Sequence, residues 1–163
     1  AGWIKHVAKY IYFLRQLEVY PAMNELNYEP KSARLKSFFA DTKATAGLDS
    51  HEKIYAFLLG ILFGKVMEVQ GARGVNVAAN ALTWLKRLSL SGQDLPELYT
   101  KVREKLLVYN TESREDVAAI IQELGVLGVQ LGTPKLSKTD ANYYLLLGQS
   151  MTKTLIPAKE KQA

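Results

Sequence analysis

Apolar residues recur every three or four positions through most of this chain, and that spacing predicts helices. From Trp3 to about Val19, the residues Ile4, Val7, Ile11 and Leu14 share one face, and Pro21 supplies a stop. After the irregular PAMNELNYEP, a short basic helix is expected from about Lys31 to Lys43, with Leu35, Phe38 and Phe39 on its apolar side and Gly47 closing the region. Asp49 or Ser50 should cap a long helix reaching about Gln70, before Gly71 and Gly74 mark a loop. A helix over about Val77 to Leu88 follows. Asp94 then opens another, with Pro96 in its first turn, running to Tyr109. Ser113 with Asp116, and Ser137 with Asp140, have capping-box spacing with Asp in place of Glu, and open two more helices of about 18 and about 16 residues. No segment alternates with period two. The expected fold class is all-α: a single helical domain over 1–163 of about five to seven helices, with its core motifs in 50–152 and a flexible tail over 157–163.

The most apolar stretch, AFLLGILFGKV at 56–66, holds Gly60 and Gly64 with Lys65 directly after. A membrane span needs about 20 apolar residues; the uninterrupted run from Ile54 to Gly64 is about half of that, bracketed by Lys53, Lys65 and Glu68. A Walker phosphate loop would need one more residue of spacing and a hydroxyl where Val66 stands. Close helix packing remains: without side chains, Gly60 and Gly64 let another backbone approach. YYLLLGQSMTK at 143–153 echoes this stretch, so Gly148 joins the packing glycines. The two helices are expected to pack as related core elements, an antiparallel pair being one arrangement the echo allows.

The composition is that of one globular domain, with 48% hydrophobic and 23% charged residues in 163. The absence of cysteine excludes disulfides, thiolate metal sites and cysteine nucleophiles, and favours a cytoplasmic setting. AGWIKHVAKY is amphipathic, unlike the apolar core of a signal peptide.

Catalytic patterns are poor. His51-Glu52 begins like a zinc-protease helix, but Tyr55 stands where the second His belongs, and His6 is similarly alone. Glu115 and Asp116 form a carboxylate pair, yet in the first turn of a helix the backbone dipole favours them. No catalytic residue, metal ligand or cofactor is assigned, and no enzyme activity is expected.

Charge is more informative. The formal net charge is +5 with a pI near 9.3, which favours an anionic partner. Lys31, Arg34, Lys36 and Lys43 against Asp41 give Pro30–Lys43 a net +3, whereas Arg114 against Glu112, Glu115, Asp116 and Glu123 gives Asn110–Gly132 a net −3. Lys86, Arg87, Lys101, Arg103 and Lys105 form a second basic group, and Arg73 stands in the glycine loop. One reading is solvated helix faces. The other is a stripe of cations from several helices tracking a phosphate backbone, with some of the nine tyrosines offering stacking surfaces. On that reading the nucleic-acid-binding residues are Lys31, Arg34, Lys36, Arg73, Lys86, Arg87, Lys101, Arg103 and Lys105.

FLLGILFGKVMEVQ, WLKRLSLSGQDLPELYTKVREKLLVYN and LSKTDANYYLLLGQSM, in that order, resemble the C-terminal helical domain of the large subunit of type I CRISPR surveillance complexes (Cascade), particularly subtype I-B. In that system the same region is also made separately as the small subunit. The resemblance covers roughly residues 50 to 152 and rests on core-type positions such as Phe57, Leu58, Leu59, Gly60, Trp84, Leu85, Leu88, Tyr144, Leu147 and Gly148. It implies a non-catalytic bundle that lines the belly of a ribonucleoprotein complex of antiviral defence. There it would stack on copies of itself and on the backbone and large subunits, and support CRISPR RNA, target DNA and the displaced non-target strand of the R-loop. Sequence recognition would be delegated to guide pairing. Nothing here corresponds to the large subunit's N-terminal part, so the chain is expected to be the separate small subunit or an excised domain. Two other classes stay open: a structural helical adaptor that binds only proteins, and an enzyme with dispersed catalytic residues.

Overall fold

The computed structural model describes residues 28–41, 43, 45, 47–72 and 90–157. The helices expected over 3–19 and 77–88, and the tail beyond 157, lie outside the described residues. Six α-helices and one 3-10 turn make up the regular structure described: α1 (Ala33–Ala40), α2 (His51–Ala72), the turn Gly92–Asp94, α3 (Leu95–Val108), α4 (Glu115–Leu131), α5 (Lys138–Ser150) and α6 (Thr152–Leu155). Among the described residues there is no strand, and the chain forms the all-α bundle its periodicity predicts.

Local chemistry sets the helix starts. Ser32 Oγ accepts the Leu35 N–H at 3.3 Å to open α1, Ser50 Oγ accepts that of Lys53 at 3.2 Å at the head of α2, and Ser137 Oγ accepts that of Asp140 at 3.1 Å for α5. Two caps differ from expectation. Asp94 turns back to accept the Ser91 N–H at 2.9 Å, closing the 3-10 turn rather than capping α3 with its own side chain. The N-cap of α4 is Arg114, not Ser113; its guanidinium bonds Asp116 at 2.8 Å and the Pro157 carbonyl at 2.9 Å, so an ion pair replaces the capping box.

Helix α2 is apolar around its whole circumference, and such a helix must be surrounded. It packs most extensively on α5, then on α4 and α3, and also touches α6. By length and a mean hydropathy of 1.4, His51–Gly71 meets the requirements of a membrane span, which the shorter uninterrupted apolar run did not suggest. In the fold, 78% of the most apolar window is buried against the other helices.

The α2–α5 contact is built on glycine. A side chain at Gly60 would fall on the carbonyl group of Leu145, and one at Gly148 would fall on that of Phe57. Each Cα–H bond thus faces a carbonyl of the opposite helix, a contact that recurs where two helices come close. The third neighbour matches too: Gln149 N for Gly60, Ile61 N for Gly148. Aligning the echoed motifs at their Leu-Leu-Gly makes these contacts equivalent, so a local two-fold relates the helices. They run in the same direction rather than antiparallel: Lys53 lies over the Tyr144 ring, Gly60 meets Leu145 and Gln149, and Gly64 meets Thr152. The bare Cα of Gly64 leaves room for Thr152 Oγ1, which donates to the Ile61 carbonyl at 2.9 Å.

Candidate functional site

The basic segment around α1 is shorter as a helix than its sequence suggests, but its apolar side is placed as expected. Leu35 and Phe39 are buried, Phe38 stacks on Phe57 at 5.5 Å with the rings nearly parallel, and Phe39 meets Phe57 edge-on at 6.3 Å. With that face used, Lys31, Arg34, Lys36 and Lys43 are all exposed. Among the described residues, no side-chain ion pair holds Lys31, Arg34 or Lys36.

The second basic group is arranged differently. On α3, Lys101 and Lys105 lie one turn apart on an exposed face that also carries Glu97 and Glu104, so opposite charges interleave there. Arg103 projects elsewhere on the helix, over the ring of Tyr99 at 5.9 Å. The three cations of α3 therefore do not form one stripe. Nor are α1 and α3 among the helix pairs that pack extensively. Arg73, Lys86 and Arg87 lie outside the described residues. Of the positions proposed from sequence, Lys31, Arg34 and Lys36 are the exposed cations with no carboxylate interleaved among them, Arg34 and Lys36 flanking the buried Leu35 on either side.

The acidic counterpart is only partly at the surface: Glu115 is exposed, and Glu112 and Asp116 are half-buried. Asp116 is held by Arg114, and Glu123, expected on an acidic outer face, is 6% exposed. Its Oε1 accepts the Tyr28 hydroxyl at 3.1 Å and its Oε2 the Lys31 backbone N–H at 2.8 Å. Burial raises the Tyr28 pKa, and the Glu123 charge and hydrogen bond raise it further. A cleft of about 510 Å³ beside this cluster is lined by Tyr28, Lys31, His51 and Glu123 among others. Glu123 stands between Ile120 and Leu127 on the apolar stripe of α4, and that position is the sequence signal that it points inward.

With Glu123 turned in, the outer face of α4 beyond its first turn, where Glu115 is exposed, carries no charge. Ala118, Gln122, Gly125, Val126, Val129 and Gln130 are exposed along it, Val129 at 87%. A second feature that sequence reasoning missed is a shallow groove of about 810 Å³ where Ser91 and Gln93 meet Thr133, Lys135 and Ser137. The Gly92 N–H donates to the Leu136 carbonyl at 3.0 Å and joins its two walls. No carboxylate is among its lining residues. Its parts are too far apart in sequence for any local pattern to announce it.

Among the described residues, no group of three or more His, Asp or Glu side chains is placed to hold a metal ion. His51 packs edge-on against Tyr28 at 6.2 Å.

Comparison with known proteins gives one family. Residues 4–163 match the family model described as CRISPR-associated protein TM1802 (cas_TM1802) C-terminal domain. No curated protein and no solved structure matches the chain.

Proposed function

Since the chain belongs to the family of CRISPR-associated TM1802 C-terminal domains, we propose that it is a non-catalytic, nucleic-acid-supporting subunit or domain of an RNA-guided surveillance complex of the type I (Cascade) kind. The family match carries this reading, and the exposed cations of α1 support it. In this role Lys31, Arg34 and Lys36 contact phosphates of the CRISPR RNA, target strand or displaced strand, while guide pairing reads the sequence. Lys101, Arg103 and Lys105 contribute less, because Glu97 and Glu104 share their helix. The partners are the backbone and large subunits and further copies of the chain, in the cytoplasm. The test is co-purification with those subunits and a guide RNA, together with strand binding by the chain alone at several salt concentrations.

A protein-only adaptor is the second reading, favoured by the uncharged face of α4. A helix face bearing Val126, Val129, Gly125 and two glutamines suits a protein neighbour better than a phosphate backbone. The two readings separate by whether the isolated chain binds single strands in a salt-dependent way.

A further inference from the structure

We infer that Glu123 is the positioning residue of the basic α1 segment: its buried carboxylate grips residues 28–31 and so sets where Lys31, Arg34 and Lys36 meet a phosphate backbone. This rests on the function proposed above and names the device that makes the cationic surface rigid.

A carboxylate that is 6% exposed must be compensated, and Glu123 is compensated by two donors from one short segment more than ninety positions away in the chain. One is the Tyr28 hydroxyl; the other is the backbone N–H of Lys31, one of the proposed phosphate-contacting residues. A hydrogen bond to the Lys31 main chain fixes its Cα while leaving its ammonium group in solvent. Ser32 then caps α1, so Arg34 and Lys36 follow from the same anchor. The aromatic contacts of Phe38 and Phe39 hold the other side of α1, and the carboxylate fixes the register that apolar packing alone leaves soft. Glu123 itself is too buried to touch a strand, so it acts through Lys31. Ordering the cations before binding spares the complex the entropy of ordering them on contact.

The test uses the full chain and a single-stranded oligonucleotide titrated at several salt concentrations. Removing three phosphate contacts at about 0.7 each should flatten the log-log salt slope by about 2 and weaken binding by up to about 100-fold near 0.1 M salt. Glu123→Ala should move toward that limit, and adding Lys31→Ala, Arg34→Ala and Lys36→Ala to it should cause little further loss. Glu123→Gln, whose amide can still accept from Lys31 and donate to the Tyr28 oxygen, should bind as the wild type does. A purely electrostatic role predicts tighter binding in both variants, and a purely structural one predicts loss of helix signal. Should Glu123→Ala fail to fold, Tyr28→Phe removes one of the two bonds and should weaken binding two- to threefold with a shallower slope. Wild-type slope in Glu123→Ala or in Tyr28→Phe, or equal loss in Glu123→Gln and Glu123→Ala, overturns the assignment. A wild-type chain that binds no strand overturns the proposed function and this assignment together.

Discussion

Gly60 and Gly148 lie at one helix crossing, each in the space beneath a carbonyl on the other's helix: Leu145 for Gly60 and Phe57 for Gly148. Because the obstructing atoms are backbone, neither site can relieve an added methyl by rotating a side chain. Gly60→Ala and Gly148→Ala should each destabilise the fold by about 1 to 3 kcal/mol, and Gly60→Leu by at least as much. Gly125, in the exposed middle of α4, meets nothing within 4 Å of an added Cβ, and Gly125→Ala should stabilise by about 1 kcal/mol through helix propensity. Denaturant midpoints for these variants check the contrast. Equal shifts at Gly60 and Gly125 would contradict it.

Strand binding should be electrostatic and indifferent to sequence. If about four cations contact phosphates, affinity should fall with salt at a log-log slope of about −3, and Lys31→Ala with Arg34→Ala and Lys36→Ala should flatten it for all sequences alike. Lys101→Ala with Lys105→Ala should matter less, since Glu97 and Glu104 share their face. Fluorescence anisotropy with several oligonucleotides measures both. A strong sequence preference would exclude a backbone-tracking surface.

The uncharged face of α4 should matter for assembly and not for strands. Val129→Glu, at an 87% exposed position, should leave helicity and oligonucleotide affinity close to wild type while reducing incorporation into the complex. Co-purification with the backbone and large subunits reads this out. Normal incorporation would leave that face without a partner role.

Alkaline pH should unfold the chain through its buried tyrosines. Burial, with neighbouring Tyr99, pushes Tyr55 up to about 12, and burial with Glu123 raises Tyr28. A phenol whose folded pKa exceeds its unfolded value near 10 stabilises the fold fully below that value and loses the contribution as pH rises through the folded pKa. For Tyr55 the decline should be about 1.4 kcal/mol per pH unit between roughly pH 10 and pH 12. Denaturation at about pH 9 and about pH 11 should show the fall, and Tyr55→Phe should lessen it. The same pH sensitivity in Tyr55→Phe would count against the assignment.

The longer helices described were legible because each has an apolar stripe or an apolar circumference, and Gly60 and Gly64 announced close packing by their spacing. The break that separates α6 from α5, and the 3-10 turn before α3, were not legible. Nor was the direction of the α2–α5 pair, since the echo between the motifs fits either polarity and the contacts of Gly64 with Thr152 and of Lys53 with Tyr144, on either side of the crossing, decide it. Glu123 was counted as surface charge because a tally of charges ignores azimuth. On the helix it falls between Ile120 and Leu127, which face the core. The cations of α3 were grouped by closeness in sequence, although Lys101 and Lys105, one turn apart, point to the side of the helix roughly opposite Arg103.

The bond between Thr152 and Ile61 spans 91 positions, and the whole α2–α5 crossing is comparably non-local. A ribosome therefore releases the most apolar helix of the chain well before the segment that covers most of it, and the nascent α2 must wait, shielded by weaker neighbours or by chaperones. Chains that stop short of Lys138 should consequently aggregate during synthesis rather than accumulate as smaller bundles.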